Sequence, residues 1–422
     1  MLPIKLFRES PDVIREDLKK RGSLEELNHV DDVITLDTKN RTIQFELDKL
    51  RHEKNELSLE FNKLKKAGED TDDVLKKVKE LPERVKKLEE EKTVIEGKIR
   101  TLLMKLPNIL HSSVPVGKDG TENVTVKTWG VPRKTDFDIK LHSKIAEDIG
   151  GADFERAVKI AGSGQYFLTG TLAELDLALQ RFALDQLLKK GYQLVIPPHM
   201  MNRQAYEGVT ALGEFETVMY KIQDHDEYLI ATSEHPLTAR FMNEVIPAKS
   251  LPMKFIGISP CYRREVGSHG LDTRGLFRVH QFTKIEQIII CKPEDSWKFH
   301  EELQQNAEEI FQALKLPFRV VNICTGDIGI VAAKKYDIEA WMPRENDWKE
   351  VTSCSNCTAY QSVRLNIRYE QDNKREHVHT LNATAIATAR ALRAILENYQ
   401  EKDGSVTIPA VLQPYMGGRK KL

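Results

Sequence analysis

Apolar side chains recur every seven residues in two successive stretches near the start of the chain. The main stripes are Leu36, Ile43, Leu50, Leu57 and Leu64, then Val74, Leu81, Leu88, Ile95 and Leu102. This period is typical of coiled-coil helices. A polar turn at 67–72 separates the stretches, so the pattern predicts an antiparallel helical hairpin with ~30 residues and roughly 45 Å per helix. Pro82 is expected to kink or restart the second helix.

The pattern alone leaves the use of this hairpin open. About half of the residues from Asp37 to Lys105 are charged, with both signs mixed. A coiled coil that only dimerises the chain explains the heptads as well as an arm that meets another partner does.

The rest of the chain predicts a mixed fold. Beyond Leu106 the heptads stop, and proline and glycine residues mark a linker over 111–133. From about 134 onward, helix-like and strand-like stretches follow one another, and most predicted strands come in succession. This order favours an α+β fold with an antiparallel sheet. Ser362–Tyr369 is predicted as a strand and Ala383–Tyr399 as a helix.

Composition narrows the class of protein. A chain of 422 residues is expected to form two or three domains. Its 63 Lys and Arg residues against 64 Asp and Glu exclude a basic field over the whole surface, but not a local basic patch. No stretch approaches the ~20 apolar residues of a membrane span, and the charged N-terminal segment does not resemble a signal peptide. Five cysteines are too few for a disulfide framework, so a cytoplasmic location is expected.

The densest polar segment in an apolar setting lies just beyond the middle of the chain. If it forms a strand, a glycine-punctuated loop and a second strand, alternation puts Arg263 and Glu265 on one face of the first strand. Arg278, Phe282 and Glu286 then share a face of the second. Arginine pairs with phosphate and an aromatic ring stacks on a base, so this face suits a nucleotide. A solvated strand face with cross-strand ion pairs is the alternative.

Several segments, in order along the chain, resemble the motifs of class II aminoacyl-tRNA synthetases. Residues 190–201 resemble motif 1, with Pro198 as the motif proline. Residues 257–287, including the Gly-Leu-Asp-Thr-Arg-Gly loop at 270–275, resemble motif 2, and residues 380–400 resemble motif 3. The Thr-Ser-Glu triplet at 232–234, the Glu-Val-Thr-Ser-Cys-Ser-Asn segment at 350–356 and the helical arm are similar to those of the seryl-tRNA synthetase family.

This resemblance implies an architecture and an activity. The fold would be α+β: a class II catalytic domain at 134–422, with an antiparallel β-sheet flanked by helices, and an N-terminal tRNA-binding domain at 1–110. The antiparallel α-helical coiled-coil arm would span about 30–106. A homodimer built around motif 1 would activate L-serine with ATP to seryl-adenylate and pyrophosphate. It would then transfer the seryl group to the 3′ end of tRNA(Ser), and to tRNA(Sec) where the host has one.

The resemblance also implies a role for each matching residue. The ATP-binding set is Arg263, Arg264, Glu265, Arg278, Val279, Phe282, Glu350, Val351, Thr352, Ser353 and Arg390. Arg263 and Arg390 would hold the phosphates as the catalytic residues, while Glu350 and Ser353 would hold Mg²⁺ with the ATP. The serine-binding set is Thr232, Ser233, Glu234, Glu286, Asn382 and Thr384.

The arm gains a use from the same resemblance, because the family's arm binds the long variable arm of serine tRNA. Six lysines near the turn, which we call the tip lysines, are the candidates for phosphate contacts. They are Lys63, Lys65, Lys66, Lys76, Lys77 and Lys79.

Other interpretations stay open beside this one. Cys354 and Cys357 have half the spacing of a zinc site, but no second pair accompanies them, and the resemblance implies no zinc. A noncatalytic RNA-binding paralogue on the same scaffold is one alternative. A related enzyme that charges a carrier protein and a class II synthetase for another small amino acid are the others.

Overall fold

A computed structural model describes residues 1–211, 216–265 and 275–422 of the chain. These residues form two compact units, one of Leu2–Pro107 and one of Met1 with Asn108–Leu422. Most of the predicted 270–275 loop of motif 2 lies outside the described residues.

The N-terminal unit is a helical hairpin preceded by two short helices. Its helices are α1 (Ile4–Glu9), α2 (Pro11–Arg21), α3 (Leu27–Ala67) and α4 (Asp72–Lys105). The predicted heptad stripes form the seam between α3 and α4, where Leu50, Leu57, Val74 and Leu81 are buried together. Ion pairs cross the seam from Lys39 to Glu91 and from Arg51 to Glu89. The antiparallel arm is therefore confirmed.

Two details of the arm differ from the prediction. Helix α3 has 41 residues and α4 has 34, so at 1.5 Å per residue α3 is about 60 Å long, not 45 Å. Helix α4 also continues through Pro82 without a restart. Proline has no N–H to donate to the carbonyl four residues earlier in a helix. Pro82 is exposed, so water can bond that carbonyl instead.

The second unit combines helices with a large sheet. Its helices are α5 (His142–Asp148), α6 (Phe154–Ala161), α7 (Gly170–Leu188), α8 (Arg203–Val209), α9 (Glu234–Ala239), α10 (Ser296–Ala313), α11 (Tyr360–Leu365) and α12 (Thr388–Asn398). The first strands are β1 (Val124–Trp129), β2 (Ala152–Asp153), β3 (Phe167–Leu168), β4 (Gln193–Val195), β5 (Met200–Asn202), β6 (Glu227–Leu229) and β7 (Val245–Pro247). The later strands are β8 (Met253–Tyr262), β9 (Gln281–Cys291), β10 (Phe318–Asn322), β11 (Lys334–Met342), β12 (Asp347–Asn356), β13 (Arg368–Gln371), β14 (Lys374–His377) and β15 (His379–Ala387).

The main sheet has eight strands in the order β1-β10-β11-β12-β15-β9-β8-β4. Every neighbouring pair is antiparallel except β4 with β8. This arrangement confirms the α+β class. Helices α7, α10 and α12 pack their apolar faces on one side of the sheet, against residues such as Ile285, Ile338 and Leu381. Because side chains alternate along a strand, Glu286 points to the opposite face of the sheet from Ile285.

Two local predictions were wrong. Residues Tyr360–Leu365 form helix α11, and only Arg368–Gln371 forms a strand. A short apolar run does not distinguish a buried strand from a buried helix, which explains this error. The predicted helix at Ala383–Tyr399 begins only at Thr388, because residues up to Ala387 pair with β9 in the centre of the sheet. Alanine has the highest helix propensity of any residue, but pairing within the sheet outweighs this intrinsic preference.

Candidate active site

The open face of the sheet holds a polar cavity of about 520 Å³. Strands β9, β11, β12 and β15 supply its floor, and the start of α9 and the loop at 328–332 supply walls. The residues predicted from sequence that line it are Thr232, Glu234, Arg263, Glu265, Glu286, Glu350, Ser353 and Asn382. The tertiary structure thus brings together residues from four separate segments of the chain.

A bulge in β12 decides which of its side chains reach the cavity. Thr352 pairs with Ile338 and Glu350 with Glu339, so β12 has one extra residue at this point, Val351. Glu350 and Ser353 are three positions apart and would face opposite sides of a regular strand. With the extra residue between them, both line the cavity.

The strand placement predicted for the candidate nucleotide face is wrong. Strand β8 ends at Tyr262 and β9 begins only at Gln281, so Arg263, Glu265 and Arg278 all lie beyond strand ends. Their side chains still converge. The Arg263 guanidinium lies 5.4 Å from the centre of the Phe282 ring, and an Arg278 nitrogen lies 3.9 Å from a Glu265 oxygen.

Backbone contacts hold this region in place. The Arg263 amide donates to the carbonyl of His280 at 2.9 Å, and the Arg263 Nε donates to the carbonyl of Ala231 at 3.3 Å. Glu265 has a positive φ of 47°, in the left-handed region that few residues other than glycine adopt.

A charged cluster marks one end of the cavity. Arg390, from the first turn of α12, donates to a Glu350 carboxylate oxygen and to the Glu350 carbonyl, both at 3.1 Å. Removal from water raises the pKa of Glu350. The positive charges of Arg390, Lys335 and Arg263 outweigh this effect and hold the pKa below its usual range. Burial raises the pKa of the neighbouring Asp337. The ion pair between Asp337 and Lys335 lowers this pKa but does not cancel the effect of burial.

At the other end, Glu286 has two polar partners. It is almost fully buried, accepts a hydrogen bond from the Thr384 hydroxyl at 3.1 Å and lies 2.6 Å from the Lys284 nitrogen. Thr384 and Glu286 are direct neighbours across β15 and β9. Sequence reasoning missed Lys284, although its position two residues before Glu286 puts both on one face of β9.

Glu234 opens helix α9 and completes this end of the cavity. Burial and the nearby Glu286 charge raise the pKa of Glu234 to about 7. Its carboxylate accepts a hydrogen bond from Gln361, and its backbone amide donates to the Thr232 hydroxyl at 3.2 Å.

Nine predicted residues do not line the cavity: Ser233, Arg264, Arg278, Val279, Phe282, Val351, Thr352, Thr384 and Arg390. Ser233 is fully buried beside Gly257, where an added Cβ would come 2.4 Å from the serine oxygen, so the glycine permits the close approach. Val351 belongs to the apolar core, and Thr352 and Val279 are buried. The Arg264 amide donates to the carbonyl of Val218.

Family models and relatives identify the fold. A model described as tRNA synthetase class II core domain (G, H, P, S and T) matches residues 217–399, and one described as Seryl-tRNA synthetase N-terminal domain matches residues 1–110. Serine–tRNA ligase of Methanocella arvoryzae is 59% identical over the full length of both chains. The chain belongs to the seryl-tRNA synthetase family. It is therefore an aminoacyl-tRNA ligase with a class II catalytic domain.

Solved structures of other seryl-tRNA synthetases agree. The crystal structure of the enzyme from Pyrococcus horikoshii complexed with ATP has a TM-score of 0.93 and 49% identity, covering 100% of this chain and 99% of that one. The cytoplasmic serine–tRNA ligase of Naegleria fowleri in complex with AMP has a TM-score of 0.88 and 38% identity, covering 100% and 98%.

The tip lysines and the cysteine pair are the remaining residues that the sequence analysis singled out. All six tip lysines are exposed, at the end of α3 and the start of α4. Cys354 and Cys357 are buried, and burial raises the pKa of both thiols. The Cys357 sulfur accepts a hydrogen bond from the Asn382 amide at 3.7 Å. Within residues 1–211, 216–265 and 275–422, no cluster of three His, Cys, Asp or Glu side chains is suited to a metal.

Among the residues that the structure describes, no helix is long and apolar enough to cross a membrane.

Proposed function

We propose that this chain activates L-serine with ATP and then esterifies the 3′ end of tRNA(Ser). In the first step a serine carboxylate oxygen bonds to the α-phosphorus as the bond to pyrophosphate breaks. In the second, a hydroxyl of the terminal ribose attacks the seryl carbonyl, and AMP leaves. The observation that carries this proposal is a single cavity lined by both Glu286 and Arg263, in which Arg390 pairs with the lining residue Glu350 at 3.1 Å.

ATP binds at the charged end of the cavity in this proposal. Arg263 and Arg390 neutralise the phosphates, and Arg278 binds at the far end of the triphosphate. Phe282, which packs with Arg263 at 5.4 Å, stacks on the adenine, and Glu265 meets its amino group. Stabilising the charge that develops on phosphate oxygens is the main task in such a reaction, because the protein itself forms no covalent bond.

Serine binds at the other end. The Glu286 carboxylate accepts a hydrogen bond from the substrate hydroxyl, and Thr384 orients that carboxylate through the 3.1 Å bond. Glu234 and Thr232 bind the ammonium group, and Asn382 borders the side chain. A buried site that satisfies a hydroxyl rejects an analogue that lacks it, since its own polar groups would lose their partner.

Glu350 and Ser353 fit a magnesium ion that arrives with ATP. A carboxylate that stays ionised and a hydroxyl, both lining the cavity from β12, are hard oxygen donors of the kind that would hold Mg²⁺. The ion would neutralise phosphate charge. Arg390 keeps the Glu350 carboxylate oriented through the 3.1 Å contact.

The two units divide the work in this proposal. The domain at 1–110 binds the long variable arm of tRNA(Ser) through the tip lysines, the linker covers 111–133, and the domain at 134–422 is catalytic. A host that has tRNA(Sec) would supply a second substrate. The homodimer forms around motif 1, where the exposed apolar side chains of Leu194, Ile196 and Met200 support an interface. Five free cysteines support a reducing, cytoplasmic location.

Exchange of labelled pyrophosphate into ATP tests the activation step. We expect exchange with serine, and little with alanine, glycine, threonine or cysteine. Arg263→Gln should abolish it. Arg319→Gln is the matched control, because Arg319 pairs with Glu339 on the sheet and does not line the cavity. Equal exchange with alanine and serine would refute the serine assignment, and full activity of the Arg263 variant would refute the phosphate site.

A further inference from the structure

One buried side chain beside the cavity has no role in the motifs. Gln361 lies near the start of α11 and is 1% exposed. Its Nε2 donates to the carbonyl of Val209 and to a Glu234 carboxylate oxygen, both at 3.0 Å. Its Oε1 accepts from the Thr380 hydroxyl at 2.6 Å. The amide thus links the end of α8, the start of α9 and strand β15.

These partners determine which way the amide faces. The Val209 carbonyl can only accept a hydrogen bond, so the amide nitrogen must face it. The other hydrogen on that nitrogen then points to Glu234, and the amide oxygen faces the Thr380 hydroxyl. Because both ends of the amide are held, the hydrogen bond to Glu234 has a fixed direction.

We infer that Gln361 is a positioning residue for binding the ammonium group of the amino-acid substrate, acting through Glu234. This inference rests on the proposed function, in which Glu234 receives that group. The Gln361 amide occupies one Glu234 oxygen and leaves the other to accept from the ammonium. It also donates to the charged form of Glu234, which is the form that attracts a cation.

Glu234 needs such a donor because its surroundings disfavour its charge. Burial and the Glu286 charge raise its pKa to about 7, while Lys284, Gln361 and Arg263 lower it. The other titratable side chains near it are Tyr206, His235 and Cys357. Without the Gln361 donor, Glu234 would keep its proton to a higher pH. Fewer molecules would then hold the carboxylate that binds the substrate ammonium near neutral pH.

Gln361→Met tests the inference in the full-length protein, because methionine has a similar length and no donor. We expect the KM for serine in pyrophosphate exchange to rise about tenfold, since a hydrogen bond to a charged group is lost. The KM for ATP should change by less than about twofold. The acid limb of kcat/KM for serine should move to higher pH, which a merely structural defect would not produce.

Gln304→Met is the matched control. Gln304 is also buried and also donates to a buried glutamate, Glu308, but on α10 and outside the cavity. It should leave the KM for serine and the pH profile unchanged.

Thr380→Val keeps the result decisive if Gln361→Met folds poorly. This change leaves Gln361 in place but removes the hydroxyl that holds the amide oxygen. It should raise the KM for serine in the same direction by a smaller factor. If the folded variants lower kcat alone, raise both KM values equally, or leave the acid limb unmoved, the inference is wrong. Failure of the unmodified protein to exchange with serine would instead overturn the proposed function.

Discussion

Replacing Thr384 with valine tests how the cavity recognises a hydroxyl. The two side chains have nearly the same shape, so the change removes one hydroxyl without creating a large cavity. In the structure that hydroxyl donates to Glu286 at 3.1 Å, and Thr384 is 4% exposed. Glu286 keeps its ion pair with Lys284 at 2.6 Å, so the variant loses only the contact made by the hydroxyl.

The expected size follows from the type of bond that is lost. A buried hydrogen bond to a charged group contributes about 1.5–3 kcal/mol, which corresponds to a factor of roughly 10–150 in binding. If the threonine hydroxyl orients Glu286 toward the substrate hydroxyl, kcat/KM for serine should fall by a factor in that range. Alanine makes no such bond, so its much lower kcat/KM should change little.

The assay is pyrophosphate exchange with serine and with alanine, for the unmodified protein and the variant. The ratio of kcat/KM for serine to kcat/KM for alanine should be much lower in the variant than in the unmodified protein. Thr325→Val is the control, because Thr325 is similarly buried and its hydroxyl bonds the backbone of Gly117, outside the cavity. If kcat/KM for serine stays within about twofold in Thr384→Val, or falls equally for serine and alanine, the hydrogen-bond explanation of specificity is wrong.

Three further outcomes are expected. Arg393→Met should lower the free energy of unfolding, measured in urea, by about 3–5 kcal/mol. The buried Glu397 carboxylate lies 3.0 Å from the Arg393 guanidinium and would lose this partner. A loss below about 1 kcal/mol would contradict this prediction. Burial lowers the pKa of His300 to about 4. As the pH falls, this histidine therefore binds a proton in the unfolded chain before it does so in the folded one, which lowers the free energy of unfolding. The His300→Gln variant should lose less stability than the unmodified protein between about pH 6.5 and 4. Parallel plots of unfolding free energy against pH would contradict this prediction. Replacing the tip lysines with glutamine should weaken tRNA binding and reduce its salt dependence by roughly one unit of slope per lost phosphate contact. Serine-dependent exchange should not change, and an unaltered salt slope would exclude the tip lysines as contacts.

The arm shows how far local pattern reaches. Its heptads predict two paired helices because each apolar position repeats along its own helix, and the seam forms wherever such stripes meet. The structure confirms Leu50, Leu57, Val74 and Leu81 as buried there. The length was underestimated because helix α3 begins before the charged stretch, at Leu27, where the heptads alone provide no start signal.

The catalytic unit shows where local pattern stops. Motif resemblance identified Glu350 and Ser353, but only the bulge at Val351 brings them to one side of β12. A bulge depends on how two strands pair, and no period within one strand predicts it. The switch from strand to helix at Thr388 is likewise set by pairing with β9, which outweighs the helix preference of the alanines before it.

The sequence by itself therefore determined the coiled-coil arm, the α+β class and most of the polar residues of the cavity, because periodicity and motifs are properties of neighbouring positions. The tertiary structure alone decided which of those residues meet. Gln361 and Glu234 are 127 positions apart, and their hydrogen bond exists because α9 and α11 both pack against α8 and next to the central strands β9 and β15. A contact between such distant positions depends on the packing of the whole unit, and no local stretch of residues encodes it.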